Sequence, residues 1–145
     1  MPGIIVGIDE SANAPHVLDW AMREAGLQKA DLTVMTVVPT MVSPWTGQPL
    51  DFPGGDQATE HARQAAQEKV AMVASEARGP QPASVTVKAF VGHPAQALID
   101  ASREADLVVV GARGSGGFAA LLLGSCSTQV ATHAICPVAI VPAGR

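Results

Sequence analysis

The chain has 145 residues, 48% hydrophobic but only 3% aromatic, which fits one domain over residues 1–145 with a core of Ala, Val, Leu and Ile. Nine basic residues against 13 acidic give a net charge of −4 with no Lys/Arg cluster, which argues against sequence-independent nucleic-acid binding. No apolar run approaches the roughly 20 residues of a bilayer span, and a strand starts almost at once without a basic leader, so a cytoplasmic protein without membrane insertion is expected.

Gly3-Ile4-Ile5-Val6-Gly7-Ile8 is a nearly continuous apolar run, as suits a parallel strand buried on both faces. It ends at Asp9-Glu10-Ser11. Ala14, Val17, Leu18, Ala21 and Ala25 then form a helical stripe. Ser11 or Asn13 can cap this helix, Pro15 fits its first turn, and Gly26 marks its expected end.

Asp31 to Val38 reads as the second strand, stopped by Pro39. The stretch from Pro39 to Asp56 is rich in proline and glycine, and a connection of that length serves function or moves. A lid over a ligand and an exposed insertion both fit it. Gln57 to Arg78 predicts a second amphipathic helix, with Ala62, Ala65, Ala66, Val70, Val73 and Ala77 along one face. Ser84 to Val91 alternates polar and apolar residues and is placed at a sheet edge. Gly92-His93-Pro94 turns the chain into a third helix, Ala95 to about Glu104. His93 reads as a turn or capping residue, because acid–base work needs a partner within reach.

Asp106 to Val110 is the fourth strand, Ser125 to Ala134 the fourth helix, and Cys136 to Val141 the last strand. The alternation β-α-β-α-β-α-β-α-β favours an α/β fold, a five-stranded parallel sheet with helices on both faces. Ligands of such folds bind at strand carboxyl ends, at the switch in strand order. Asp9 and Gly111 both follow strand ends, and would face each other if strands one and four were neighbours. Cys126 and Cys136 read as reduced thiols, and no metal site is expected from them or from the four scattered histidines.

The fourth strand runs into Gly111-Ala112-Arg113-Gly114-Ser115-Gly116-Gly117, and Phe118 to Leu123 lead to Gly124-Ser125-Cys126-Ser127. Glycines bring backbone N–H groups close to a ligand, and a helix start offers unpaired donors. Two such clusters facing one space would cradle a phosphate chain. Plain turn chemistry also accounts for glycines in a loop. Neither a Walker A loop nor the dinucleotide fingerprint is present, and no lysine, second carboxylate or positioned base stands near the motif. Arg113 serves equally well as a phosphate-neutralising charge or a solvated loop residue.

The spacing Gly111-x-x-Gly114-x9-Gly124-Ser125 closely resembles the ATP-binding signature of the universal stress protein family. The Ile-Val-Gly-Ile-Asp start, the Gly92-His93-Pro94 turn and the Cys136-Pro137-Val138 entry to the last strand extend the resemblance over essentially the whole chain. It implies strand order 3-2-1-4-5, a Rossmann-like sheet of the adenine nucleotide alpha hydrolase type, and a homodimer paired through the C-terminal strand. It implies that Gly7, Asp9 and Val37 surround adenine and ribose, and that Val110 and Gly111 line the ribose side. Gly114, Gly124, Ser125 and Cys126 would hold the phosphates through main-chain N–H groups, with the Ser125 hydroxyl assisting and Ser127 offering another. The function implied is an ATP-dependent sensor or regulator acting on a protein partner, with or without Mg²⁺, and not an enzyme beyond slow hydrolysis. An ATPase or phosphatase, or a cyclic-AMP-binding relative, is the alternative. A nucleotide-free interaction module with structural glycines is the third reading.

Overall fold

The computed structural model describes residues 3–9, 11–39, 44–47, 55–112 and 124–142. Five strands, β1 (Ile4–Ile8), β2 (Asp31–Pro39), β3 (Ser84–Gly92), β4 (Leu107–Gly111) and β5 (Val138–Val141), form one sheet in the order β3-β2-β1-β4-β5. Every neighbouring pair is parallel. The helices are α1 (Ala14–Gln28), α2 (Gly55–Glu76), α3 (Pro94–Ala101) and α4 (Ser125–His133), and a 3-10 turn, Ser102–Glu104, follows α3. The end of the third helix is thus tighter than the continuous helix to Glu104 that periodicity suggests.

The sheet divides the core in two. Ile4, Val6 and Ile8 alternate onto one face, where they meet Leu32, Val34, Val109 and the inner stripes of α1 and α2. On the opposite face Met35, Val108 and Val110 pack with Leu98 of α3 and Val130 of α4. This two-sided burial is why β1 and β4 read as unbroken apolar runs. β3 stands at the edge, as its alternating sequence predicts, but of its apolar set Val85 and Val91 are exposed while Val87 packs against the core. On α2, Ala66 and Val73 are buried and Val70 packs beside them, while Ala62 and Ala65 stay half-exposed; the helix ends at Glu76, two residues before the Arg78 that periodicity suggests, and leaves Ala77 outside it.

Gly26 does not end α1. The helix continues to Gln28, and Lys29 takes the left-handed conformation at φ 54°. The glycine has a different cause. A Cβ at Gly26 would lie 2.1 Å from the Pro80 carbonyl oxygen, so the chain entering β3 passes hard against the helix. Asn13 stands at the N-cap without a side-chain capping bond, and Pro15 lies in the first turn. Of the possible lid between Pro39 and Asp56, residues 40–43 and 48–54 lie outside the described residues, as does the whole run Phe118 to Leu123.

Candidate functional site

Strand register builds the site. β1 and β4 pair from Ile4–Leu107 to Val6–Val109 and no further. Beyond that point β1 continues beside β2 as far as Ile8–Thr36, and β4 continues beside β5 as far as Gly111–Val141. The sheet therefore parts between its two central strands at their carboxyl ends. This is also where strand order reverses, so Gly7–Asp9 and Val110–Gly111 flank one crevice; Asp9 follows β1 as expected, and Gly111, expected just after the fourth strand, is the last residue of β4.

Asp9 folds its carboxylate back on its own loop, where Oδ1 accepts the Ser11 N–H at 2.9 Å. Its main-chain carbonyl accepts from Lys69 Nζ of α2 at 3.3 Å. Val37 lies one residue past the last β1–β2 pair, level with Asp9, and pairs on its other side with Phe90. Gly7 is fixed by packing, because a Cβ there would stand 2.7 Å from Leu98 Cδ1.

Across the crevice Ala112 ties three elements together. Its N–H donates to the Val141 carbonyl at 2.8 Å. Its carbonyl accepts the Gly124 N–H at 2.6 Å and the Ser127 hydroxyl at 2.9 Å. The same hydroxyl lies 3.1 Å from the Gly124 carbonyl, and Ser127 is buried. Gly124 is extended at the N-cap of α4, with φ −76° and ψ 171°. The start of α4 is thereby pinned against the end of β4.

The first intrahelical bond of α4 runs from the Thr128 N–H to the Gly124 carbonyl at 3.0 Å. The N–H groups of Ser125, Cys126 and Ser127 thus have no acceptor inside the helix, and the dipole places positive potential there. Ser125 is exposed and Cys126 is half-buried. Burial pushes the Cys126 thiol up from its ordinary range, and the Asp9 carboxylate adds to the rise. The second cause means that the loop after β1 and the start of α4 share one electrostatic space.

Of the sequence-derived candidates, Gly7, Asp9, Val37, Val110, Gly111, Gly124, Ser125, Cys126 and Ser127 stand at this end of the sheet. Gly114 lies outside the described residues, as does Arg113. His93 stands apart at the N-cap of α3, where its carbonyl accepts the Ala97 N–H at 2.9 Å. Lys69 was not visible from the motif, being 60 residues from Asp9. Its one sequence clue is its place beside the Ala66–Val70–Val73 stripe, which turns it toward the sheet rather than to open solvent.

Comparison with known proteins places this geometry in a family. The model of the universal stress protein family matches residues 2–142. The chain belongs to that family. A universal stress protein of Mycolicibacterium smegmatis is 39% identical over 144 residues, which cover 96% of this chain and 47% of the relative. The chain thus spans about half the length of the curated relatives it matches. Among solved structures, UspA of Lactobacillus plantarum superposes with a TM-score of 0.76 at 24% identity, covering 97% of each chain. An Archaeoglobus fulgidus universal stress protein in complex with dAMP gives 0.67 at 19% identity, covering 97% of this chain and 98% of that one. Another, in complex with cAMP, gives 0.64 at 23% identity, with 98% of each chain covered. These structural likenesses establish the Rossmann-like universal stress protein fold.

Proposed function

We propose that this universal stress protein binds ATP in the crevice between β1 and β4 and acts as a dimeric, nucleotide-dependent sensor or regulator. The observation that carries the reading is the parting of the two central strands with the start of α4 pinned at its mouth. Main-chain groups of Asp9 and Val37 serve the base, and Val110 and Gly111 line the ribose side. The Ser125 and Cys126 N–H groups and the Ser125 hydroxyl meet the phosphates, together with Gly114. Gly124 and Ser127 act differently: the Gly124 N–H and the Ser127 hydroxyl are spent on Ala112, and they fix the helix start that makes the other donors converge. A neutral Cys126 thiol puts no negative charge beside an anion. Mg²⁺ enters with the triphosphate, and Asp9 is the one carboxylate among the candidate residues.

The bound dAMP and cAMP of two proteins of the same fold support an adenine nucleotide as ligand. Dimerisation through β5 covers an outer strand that carries Val138, Ile140 and Val141. Slow or absent hydrolysis is part of this reading: the candidate residues include no histidine, and Asp9 is their one carboxylate.

Calorimetric titration with ATP, ADP, AMP and cAMP tests the reading. Saturable binding of ATP, one per chain, is expected, with turnover below about 1 per second. Absence of binding by every adenine nucleotide at millimolar concentration overturns it. Faster turnover makes the protein an ATPase, and preference for cAMP over ATP replaces the ligand.

A further inference from the structure

Lys69 lies on α2, and its ammonium comes to rest on the carbonyl of Asp9 at 3.3 Å. Among the described residues no carboxylate lies within salt-bridge distance of it, and its hydrogen-bond partner is a neutral oxygen. An ammonium has three donors, so the Asp9 carbonyl uses only one. The position is half-buried, and a cation there is less screened than one in open solvent.

Asp9 links this cation to the opposite wall. Its carbonyl holds Lys69, and its carboxylate acts on Cys126 in the first turn of α4. A full positive charge thus rests on Asp9, whose carboxylate also bears on the first turn of α4. The chain as a whole carries −4, and Asp9 adds a carboxylate to the crevice itself. A polyphosphate entering there meets repulsion that main-chain amides offset only in part, since a helix end carries roughly half a unit charge.

We propose that Lys69 is a nucleotide-binding residue: its ammonium leaves the Asp9 carbonyl for the phosphates of the bound nucleotide, and affinity rises with phosphate charge. This rests on the nucleotide-binding reading above and adds to it the cation that the glycine motif lacks. The four-carbon stem gives the ammonium freedom to turn, and the carbonyl it vacates lies in the region assigned to the base. Lys69 thus discriminates ATP from AMP.

The test is calorimetry with ATP, AMP and adenosine on the wild type and on Lys69→Gln, Lys69→Met and Lys69→Arg, each checked for its fold by far-UV circular dichroism. Gln and Met keep a helix-compatible stem without the charge. Both are expected to weaken ATP roughly tenfold, the size of a lost charge-assisted hydrogen bond. AMP loses less, adenosine changes less than twofold, and Arg keeps most of the ATP affinity. An ATP-to-AMP affinity ratio unchanged in Gln and Met overturns the proposal. Equal losses for ATP, AMP and adenosine also overturn it and leave Lys69 as a support for Asp9. A wild type that binds none of the three removes the nucleotide site itself, a result distinct from a flat Lys69 series on a wild type that binds.

Discussion

Replacing Gly7 by Ala tests whether this position is set by packing. The new Cβ would lie 2.7 Å from Leu98 Cδ1, 3.1 Å from Cδ2 and 3.4 Å from Cγ. Leu98 is only 3% exposed and packs in the cluster of Met35, Val108 and Val110, so it has little room to yield. Overpacking of this kind costs about 1–3 kcal/mol. Ala in a strand recovers roughly 0.5–1 kcal/mol of the backbone entropy that Gly loses on folding. The difference of these two ranges is a net loss between about 0 and 2.5 kcal/mol, near 1 kcal/mol at mid-range. Leu98→Ala alone removes a buried side chain and costs about 2–5 kcal/mol. In the double variant the added methyl enters the space that Leu98 vacates. The double loss is therefore smaller than the sum of the single losses by at least about 1 kcal/mol, a coupling typical of touching residues. Urea unfolding followed by circular dichroism measures all four corners of the cycle at constant m. A stabilised Gly7→Ala, or an additive double variant, refutes the reasoning.

Ser127→Ala removes a buried hydroxyl but leaves no carbonyl bare: Ala112 O keeps the Gly124 N–H, and Gly124 O keeps the Thr128 N–H. The expected loss is accordingly modest, about 1 kcal/mol in urea unfolding, with a loss above roughly 3 kcal/mol contradicting the bonding described. The Cys126 thiol, held above its ordinary range by burial and by Asp9, reacts slowly with iodoacetamide at pH 7 in a Cys136→Ser background. Asp9→Asn speeds that reaction at fixed pH, and an unchanged rate would show that the two loops do not share a field. Burial also raises the Cys136 thiol. On unfolding both thiols return to about 8.5 and ionise first in the unfolded chain. Their contribution to stability is complete below that pH and is lost as pH rises through the folded values. A Cys126→Ser, Cys136→Ser variant should show a flatter decline above pH 8.5, and an equally steep one contradicts the assignment.

Elements set by local pattern were legible in the sequence. The two-sided burial of β1 and β4 follows from Ile4–Ile8 and Val108–Val110, and the edge position of β3 from its alternation. Features set by distant chain segments were not. Gly26 looked like a helix end because the Pro80 carbonyl that demands it lies 54 positions away in sequence. Parting of β1 from β4 depends on register, which periodicity leaves open. Strand order itself came from the family resemblance and not from composition or spacing. Gly124 and Ser127 were visible as phosphate-loop residues, but their bonds to Ala112 appear only once β4 and α4 are brought together. Lys69 was missed for the same reason, since nothing in the glycine motif points to a lysine on α2.

The most direct measurement of the central claim is an ATP titration read at each backbone amide by nuclear magnetic resonance. The account predicts saturable shifts at Asp9, Gly111, Ser125 and Cys126, with Thr86 and Lys88 on the far edge unmoved. Shifts confined to the β3 edge, or none at millimolar ATP, would contradict it.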